Sequence, residues 1–449
     1  MAEVDPTPAA PPGRAPAPDA ADPRPGTRLP RVAMVLSRFP KVTETYQLRE
    51  ITALERLGMS IELYAITHHD DGGPVQRDAV ALDRRANYFG RISLEIIRAQ
   101  LTWLRRNPSA YWGAWRWSLV TNRGAPDFLV RSFLLVPLAA AMALRMERDG
   151  IEHVHAHFAT YPTHVALVVK MLTGLPYSFT GHAHDIQHRQ DGLGDKIREA
   201  EFFFCCTEYG REQLRRLYGS VVEEKCVVVH HGVELDRYTM TPLPDDDGER
   251  AFRILCVATF EECKGHQYLI EATSRLVDRG VEVEVALVGG DPPRRSRHRE
   301  DMIRLAAELG LGDRVRFVGK VAAEEVRRWI EWSDIGVLAA CATAKGDKDG
   351  LPNVLTESLA MGRPVVSTTQ EGTMELVVDG VNGLLVRTRD ASALADAIER
   401  MRRDPAMRER MATAGRGIVE RDHDVVANTR TLAGEYLRRV GRPAPDDSA

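Results

Sequence analysis

The segment DGLPNVLTESLAMGRPVV, residues 349–366, predicts a loop, a helix that begins at Pro352, a tight turn and then a buried strand. Proline suits the first turn of a helix because the N–H group that it lacks would be unpaired there. The amides of residues 353–355 are expected to be free at the helix start, where the helix dipole favours an anion. Asp349 lies just before this start, and Glu357 lies about two turns into the helix. The segment therefore indicates a site for a polar ligand that carries phosphate.

Short apolar runs and helical patterns alternate on both sides of this segment. Within residues 251–420 the runs are typical of buried parallel strands, and the alternation predicts a doubly wound α/β domain. The same alternation predicts a first α/β domain over residues 30–238. Residues 239–250 are Pro-rich and acidic, which indicates a linker. Two Rossmann-like halves joined in this way predict a ligand cleft between them.

The two ends of the chain differ from these domains. Residues 1–29 are dominated by Pro, Ala and Asp and are expected to be disordered, because they offer almost nothing apolar to bury. Residues 421–449 contain a helical pattern, which we expect to pack back on the first domain, followed by a short tail.

Composition excludes several classes of protein. A chain of 449 residues with 44% hydrophobic residues can build two or three domain cores, and its net charge of −4 gives no support for nucleic-acid binding. The six cysteines have no zinc-like spacing, which indicates reduced thiols in a cytoplasmic protein. The N-terminus lacks the pattern of a secretory signal. The longest uncharged apolar run, Phe133–Leu144, is too short to span a bilayer.

The alternation is interrupted over residues 77–148, which are predicted to form a helical insertion. Its segment 91–120 is rich in tryptophan, tyrosine and arginine. Such a surface could lie on the inner face of the membrane, with indole rings at the interface and cations on acidic headgroups. The alternative is that the aromatic residues pack against the domain, as aromatic stripes at helical spacing commonly do.

Histidines cluster in the first domain, at positions 153, 155, 157, 164, 182, 184, 188, 230 and 231. A metal centre is one interpretation, but no Cys or Glu lies nearby at ligand spacing, so we expect no metal site. We expect instead that some of these histidines line the cleft as hydrogen-bond donors. His182 follows the apolar run Tyr177–Gly181, which places it at the ligand-binding edge of the sheet.

Two further loops of the second domain carry polar groups. Lys264 is predicted at the start of a helix, where its ammonium group could reach a phosphate. Gly372, Thr373 and Glu375 belong to the other loop. There the glycine permits a close backbone approach, and the two polar side chains can form hydrogen bonds at a short helix start.

These segments together resemble glycosyltransferase family 4, whose members are retaining nucleotide-sugar transferases with the two-domain GT-B fold. The family hallmark is a pair of acidic residues in a segment like E-G-x-P-x-x-x-x-E-A-M-A-x-G-x-P-V-V, which residues 349–366 match. The stretch RFPKVTETY, residues 38–46, is similar to the F-P-x-x-S-E-T-F signature of a subgroup that builds bacterial exopolysaccharides of the colanic-acid type. HVHAHF at 153–158, FTGHAHDI at 179–186 and HGVELDRY at 231–238 also resemble that subgroup.

The resemblance implies roles for four catalytic residues. Asp349 matches the acid that holds hydroxyls of the donor sugar, and Glu357 matches the acid that holds the nucleotide ribose. Lys264 matches the lysine that neutralises the diphosphate, and His182 matches the histidine near the transferred sugar.

A wider set of residues is predicted to surround these four. Amides at the helix start would meet phosphate, residues 372–375 would cover the donor, and the loop around residues 319–321 would read the base. The predicted donor-binding residues are Thr259, Gly319, Val321, Gly350, Leu351, Pro352, Asn353, Val354, Gly372, Thr373 and Glu375. The candidates on the acceptor side are Phe39, Glu44 and Thr45.

Two positions depart from the family pattern. The family often has arginine five residues before the lysine, and here that position is Thr259. Loss of this cation weakens the stabilisation of a diphosphate unless another basic group substitutes. The first acid is Asp349 rather than glutamate, and its shorter reach leaves the identity of the sugar open.

The resemblance implies a retaining glycosyltransferase that uses a nucleotide-sugar donor, a glycan or lipid-linked acceptor and no metal or other cofactor. In this scheme the leaving phosphate helps to deprotonate the acceptor hydroxyl. One alternative is a non-catalytic sugar-nucleotide-binding protein, which Thr259 keeps open. Another is a different activity on the same fold, such as a sugar-nucleotide epimerase, because a fold does not determine a function.

Overall fold

The computed structural model describes residues 29–40, 45–68, 77–90, 93–182, 185–186, 191–245, 250–292, 297–344, 346 and 348–440. These residues form two α/β domains, each built on one parallel sheet. The tail that was predicted to be disordered lies outside the described residues, apart from residue 29, and so does Glu44.

The strands of both sheets follow apolar runs of the sequence. In chain order they are β1 Arg31–Phe39, β2 Ser60–His68, β3 Asn87–Tyr88, β4 His153–His157, β5 Tyr177–Gly181, β6 Phe202–Cys205, β7 Cys226–Val228, β8 Phe252–Val257, β9 Val283–Val288, β10 Val315–Gly319, β11 Ile335–Leu338, β12 Val365–Thr368 and β13 Gly383–Val386. The first sheet has the order β3-β2-β1-β4-β5-β6-β7, and the second has the order β10-β9-β8-β11-β12-β13. In each sheet the order reverses beside the first strand, and ligands bind at the carboxyl ends of strands at such a switch point.

The helices connect these strands. In chain order they are α1 Thr45–Arg56, α2 Arg77–Asp83, α3 Leu94–Arg106, α4 Pro108–Thr121, α5 Pro126–Arg148, α6 Tyr161–Thr173, α7 Leu193–Glu199, α8 Glu208–Tyr218, α9 Ser220–Lys225, α10 His266–Asp278, α11 His298–Glu308, α12 Ala323–Trp332, α13 Asn353–Ala360, α14 Glu371–Met374, α15 Ala391–Arg403, α16 Pro405–Asp422 and α17 Val425–Val440.

The central strand β1 shows why an uninterrupted apolar run becomes a strand here. Residues 32–36 have no exposed surface, so both faces of the strand are covered. Ala33 and Val35 pack in one apolar cluster, while Val32 and Met34 pack in another. A parallel strand covered on both faces favours an uninterrupted apolar run, because neither face meets water and a polar side chain there must find a hydrogen-bond partner.

Residues 77–148 contain α2 to α5, in agreement with their helical character, and also the short strand β3, which was not predicted. Residues 128–148 of α5 are long and apolar enough to cross a membrane by length and composition, and 56% of the most apolar 18-residue window is buried inside the protein. Core helices of soluble proteins pass the same test.

The last helix, α17, packs against the first sheet. The ring of Tyr436 lies 5.4 Å from that of Phe202 and 5.5 Å from that of His153. Leu432 and Ala433 are buried in the same apolar cluster as the first strand. The last described helix therefore packs on the first domain, as the sequence predicts.

Candidate active site

A cleft of about 990 Å³ lies between the two domains. It is lined from the first domain by α1 and by residues after β5 and β6, and from the second by residues after β8, β9, β10 and β11. The predicted site residues that line it are Thr45, His182, Thr259, Lys264, Gly319, Val321, Asp349, Gly350, Leu351, Pro352, Asn353, Val354 and Glu357. Loops that are far apart in the sequence therefore meet at this one place.

Lys264 and Asp349 form an ion pair in the wall of the cleft, with 2.7 Å between Nζ and Oδ2. Burial opposes the charge of the lysine, but the neighbouring carboxylate more than offsets it and raises the pKa of Lys264 above its ordinary value. The lysine is therefore a fixed cation at neutral pH. The sequence predicts Lys264 at the start of a helix. In the structure it is instead the last residue of the 3-10 turn Glu262–Lys264, and α10 begins at His266.

Gly265 explains how the lysine comes so close to the aspartate. Its φ is +68°, and a Cβ atom at this position would lie 1.8 Å from the carbonyl oxygen of Ala339. Only glycine allows this approach, because it has no Cβ and adopts positive φ at little cost. The loop of Lys264 is thereby packed directly on the segment that continues to Asp349.

The helix α13 begins one residue later than the sequence predicts, since Pro352 is the residue before it, in an extended conformation. The amide of Leu355 is not free, because it donates to the carbonyl oxygen of Pro352 at 3.0 Å. For the amides of Asn353 and Val354, no acceptor lies among the described residues. Both residues line the cleft, and amides at a helix start form a place for an anion.

Glu357 is held by a cation from the opposite domain. Its Oε1 atom accepts a hydrogen bond from Nη2 of Arg49, at 2.7 Å, and Arg49 also donates to the hydroxyl of Tyr238 at 3.1 Å. A second carboxylate, Glu234, lies 3.9 Å from the guanidinium. All of these groups are buried or nearly so. Arg49 therefore fixes the predicted ribose-binding acid and joins the two domains, a role that no sequence motif signalled.

The loop predicted to cover the donor does not line the cleft. Glu375 accepts hydrogen bonds from the amides of Glu208 and Tyr209, both at 2.8 Å, and so caps the start of α8 in the first domain. Thr373 is buried. Gly372 permits packing, because a Cβ atom there would lie 2.4 Å from the carbonyl oxygen of Gly350. In this structure the loop packs against Gly350 and contacts the first domain, and its predicted role over the donor stays a prediction.

Two other cations line the cleft that Thr259 lines, where the family arginine is missing. Thr259 donates to a carboxylate oxygen of Glu261 at 2.7 Å. Arg299 lines the same cleft, with its guanidinium 5.8 Å from the ring centre of Phe260. Lys348 also lines the cleft and is paired with Glu371 at 2.8 Å. The sequence pattern did not single out either cation.

His182 lies at the end of β5, where the first sheet meets the cleft. Its ring lies 5.2 Å from that of His231 and 5.0 Å from that of Tyr46, and its Nδ1 atom is 3.5 Å from Sγ of Cys206. Burial, with a further contribution from His231, holds the pKa of His182 well below its ordinary value. The imidazole is therefore neutral at physiological pH.

The acceptor-side candidates fall in different places. Thr45 lines the cleft, whereas Phe39 is buried in the apolar core of the first domain and cannot contact a ligand there. Glu44 lies outside the described residues. Tyr46, which was not predicted, lines the cleft beside His182.

Among the described residues, two groups of side chains have a spacing that a metal ion could use. They are His182 with Cys206 and His231, and Glu50 with His155 and His157, each with ligand atoms within 4.8 Å of one another. In the second group His155 is already committed, because its two ring nitrogens bond to the hydroxyls of Ser178 and Thr180. The absence of a metal site stays a prediction.

Buried neutral histidines make the fold sensitive to acid. Burial lowers the pKa of His153, His164 and His266 to about 3 in each case. The unfolded chain binds a proton at each site below about pH 6.5, so each histidine lowers the free energy of unfolding by about 1.4 kcal/mol at pH 5.5. Asp185 has the opposite effect. Burial raises its pKa to about 7, so the folded chain holds a proton there that the unfolded chain loses, and the free energy of unfolding falls as the pH rises from about 4 to about 7.

A single variant isolates the effect of one histidine. The free energy of unfolding falls when the pH is lowered from 7.5 to about 5.5. We expect this fall to be about 1.4 kcal/mol smaller in His164→Gln than in the natural chain. Glutamine retains a partner for the hydroxyl of Ser118, which lies 3.0 Å from Nε2 of His164. Urea unfolding followed by circular dichroism at the two pH values measures the difference, and equal losses for both chains would contradict the assignment.

Comparison with known proteins agrees with this geometry. Residues 43–237 match the family described as Glycosyltransferase Family 4, and residues 251–404 match the family described as Glycosyl transferases group 1. The amylovoran biosynthesis glycosyltransferase AmsK of Erwinia amylovora is 33% identical over 421 residues, which cover 90% of this chain and 98% of AmsK. The chain belongs to glycosyltransferase family 4.

A further relative of this family 4 enzyme is the putative colanic acid biosynthesis glycosyltransferase WcaL of Escherichia coli K12. It is 25% identical over 388 residues, which cover 82% of this chain and 89% of WcaL. Among solved structures, Anabaena Alr3699/HepE in complex with UDP superposes with a TM-score of 0.67 at 17% identity, covering 91% of this chain and 99% of HepE. At this identity the likeness shows the fold alone. The family and the GT-B fold that the sequence predicted are therefore confirmed.

Proposed function

We propose that this glycosyltransferase moves a sugar, with retention of its anomeric configuration, from a nucleotide-sugar donor to a hydroxyl of a glycan or lipid-linked acceptor. The observation that carries the proposal is the cation Lys264 in one cleft with the amides of Asn353 and Val354, which have no acceptor in the described part of the chain. Relatives named for amylovoran and colanic acid biosynthesis support a role in exopolysaccharide assembly. A structural neighbour that holds UDP supports the donor class.

The chemistry follows from where charge develops. Breaking the bond between a sugar and a diphosphate creates a sugar with oxocarbenium character and an anionic leaving group. Lys264 and the amides of α13 stabilise this anion, and such fixed electrostatic stabilisation is usually the largest catalytic contribution. Arg299 and Lys348 line the same cleft, and they supply the positive charge that the arginine supplies in other members of the family. Donor binding draws Lys264 from the carboxylate of Asp349 towards phosphate.

Retention follows a front-face course in this proposal. In this structure both acidic residues of the hallmark segment are engaged by cations, Asp349 by Lys264 and Glu357 by Arg49, and the proposal gives neither of them the role of a covalent nucleophile. The leaving phosphate instead takes the proton of the acceptor hydroxyl on the same face of the sugar. Protein cations supply the charge in every step, and the scheme requires no metal ion.

Turnover tests this function. The purified protein is incubated with UDP-, GDP- and ADP-sugars and with lipid-linked acceptors, and the release of nucleoside diphosphate is followed. Release that depends on both donor and acceptor supports a transferase. Binding of a donor without release would favour a non-catalytic nucleotide-sugar binder, and conversion of the sugar without an acceptor would favour an epimerase.

The enzyme acts on the cytoplasmic side of the membrane in this proposal, and the helical insertion contacts the lipid. Two of the predicted interfacial aromatics point inwards, since Trp103 and Tyr111 are buried, whereas Trp112 is 61% exposed. A further apolar contribution comes from Leu94, Ile97 and Leu101 on one side of α3, which are 60%, 50% and 48% exposed. Arginines 98 and 105 follow the same helical spacing and match acidic headgroups.

Removing this apolar stripe is expected to weaken membrane binding. The double variant Ile97→Ser and Leu101→Ser should bind vesicles that contain acidic lipid at least about tenfold less well, because two aliphatic side chains no longer enter the interface. Val381→Ser removes an equally exposed apolar side chain from the second domain, 46% exposed, and is the matched control. Co-sedimentation with vesicles measures binding, and equal binding by both variants would contradict the contact.

A further inference from the structure

Cys206 touches two groups at the edge of the cleft. It follows β6, is buried, and its Sγ atom lies 3.5 Å from Nδ1 of His182 and 3.6 Å from the carbonyl oxygen of Gly181. A thiol both donates and accepts weak hydrogen bonds, so one sulfur can serve both neighbours. The arrangement of protons among these three groups decides what His182 offers to a ligand.

Only one arrangement makes both contacts hydrogen bonds. The carbonyl oxygen of Gly181 has no hydrogen, so it can only accept, and the thiol proton of Cys206 must point to it. The sulfur is then an acceptor for His182, whose Nδ1 atom must carry the imidazole proton. Burial raises the pKa of the Cys206 thiol well above its ordinary value and lowers that of His182. Each group therefore holds one proton at neutral pH.

The other ring nitrogen of His182 is left as an acceptor. His182 is only 8% exposed and lines the cleft, and its Nε2 atom has no hydrogen-bond partner among the described residues. A buried polar atom without a partner costs about 1–3 kcal/mol, so the site favours a ligand that fills the gap. Since Nε2 lacks a proton in this tautomer, the ligand must bring its own donor. A sugar hydroxyl has this chemistry.

We propose that Cys206 is a positioning residue that fixes His182 in the tautomer with hydrogen on Nδ1, so that Nε2 accepts a hydrogen bond from a sugar hydroxyl in the cleft. The proposal rests on the function proposed above for the identity of the ligand. The opposite tautomer would present an N–H group to the same hydroxyl, and the single proton of the Cys206 thiol would then face two acceptors, Nδ1 of His182 and the carbonyl oxygen of Gly181. The hydrogen-bonding partner of His182 on its other nitrogen sets which form is present.

The tautomer can be read without any substrate. Nitrogen-15 spectra of the histidine rings of the full chain, with the signals of His182 assigned by their loss in His182→Gln, distinguish a protonated Nδ1 from a protonated Nε2. We expect hydrogen on Nδ1 in the natural chain and in Cys206→Ser, whose hydroxyl can also donate and accept. We expect loss of this preference in Cys206→Ala. Hydrogen on Nε2 in the natural chain would overturn the proposal.

Turnover then shows whether Cys206 acts through His182. Cys206→Ala should lower kcat/KM about tenfold to a hundredfold, whereas Cys206→Ser should stay within about threefold of the natural enzyme. In a His182→Gln background, where the amide oxygen of glutamine accepts at the same place whatever residue 206 is, Cys206→Ala should change kcat/KM less than about twofold. An equal loss in both backgrounds would overturn the proposal. If the natural chain shows no turnover, the proposed function fails while the tautomer measurement still decides this inference.

Discussion

Replacing Lys264 with alanine is expected to lower the rate of nucleoside diphosphate release by about 10²- to 10³-fold. The lysine is the cation paired with Asp349 at 2.7 Å, and its side chain is only 20% exposed. When the lysine is removed, bulk water therefore compensates little for the lost positive charge beside the leaving diphosphate. The binding of the donor should weaken much less than the rate falls, because the negative charge on the leaving oxygen grows mainly in the transition state. Steady-state release from the donor that the natural enzyme turns over measures both effects.

Two further variants sharpen this result. Lys170→Ala removes a lysine that is paired with Glu199 and Glu201 on the first domain, away from the cleft, and should leave the rate unchanged. Lys264→Arg keeps the charge but changes its shape and reach, and should give an intermediate rate. A rate for Lys264→Ala that equals the rate for Lys170→Ala would show that the diphosphate binds elsewhere.

Much of the fold could be predicted because each sheet is parallel and covered. The mainly apolar run at residues 283–288 predicts a strand with the bounds that the structure has, Val283–Val288, and the run at 383–386 does the same for Gly383–Val386. A covered strand is mostly apolar, and the polar residues that flank such a run, Glu282 before the first strand and Arg387 after the second, mark where it ends. The strand Asn87–Tyr88 was missed because two residues carry no periodicity, and its pairing with Tyr64 and Ala65 alone makes it a strand.

The second-domain site could be predicted for a related reason. Lys264 and the segment 349–366 lie on loops after parallel strands of one sheet, and such loops meet at the carboxyl edge. The contacts that residues 372–375 and Arg49 make with the other domain could not be predicted from the order of strands and loops. Glu375 caps a helix 166 or more residues away in the chain, and Arg49 meets Glu357 across 308 residues. Such contacts depend on how the two domains face each other, which no local pattern encodes.

Replacing Arg49 with methionine is expected to destabilise the enzyme by about 3–5 kcal/mol, because it leaves buried carboxylates without their cation. Glu357 and Glu234 have side chains that are each 10% exposed, and that of Arg49 is 6% exposed. Methionine fills a similar volume, so the loss reports on charge more than on packing. Because the contact joins the domains, we also expect a larger radius of gyration. Calorimetric unfolding and small-angle X-ray scattering measure the two effects.

A matched control lies on the same network. Arg237 pairs with Glu234 at 3.3 Å and with Asp78 at 3.1 Å, but its side chain is 37% exposed. Solvent screens such a pair, so Arg237→Ala should cost no more than about 1 kcal/mol. The double variant Arg49→Met with Glu357→Gln should recover part of the stability lost in Arg49→Met, because the uncompensated charge is removed with its partner. Recovered stability without recovered donor binding would assign to Glu357 a second task, contact with the nucleotide, beyond holding the domains together. If Arg49→Met were no more destabilising than Arg237→Ala, the domains would be held in place by contacts other than this ion pair.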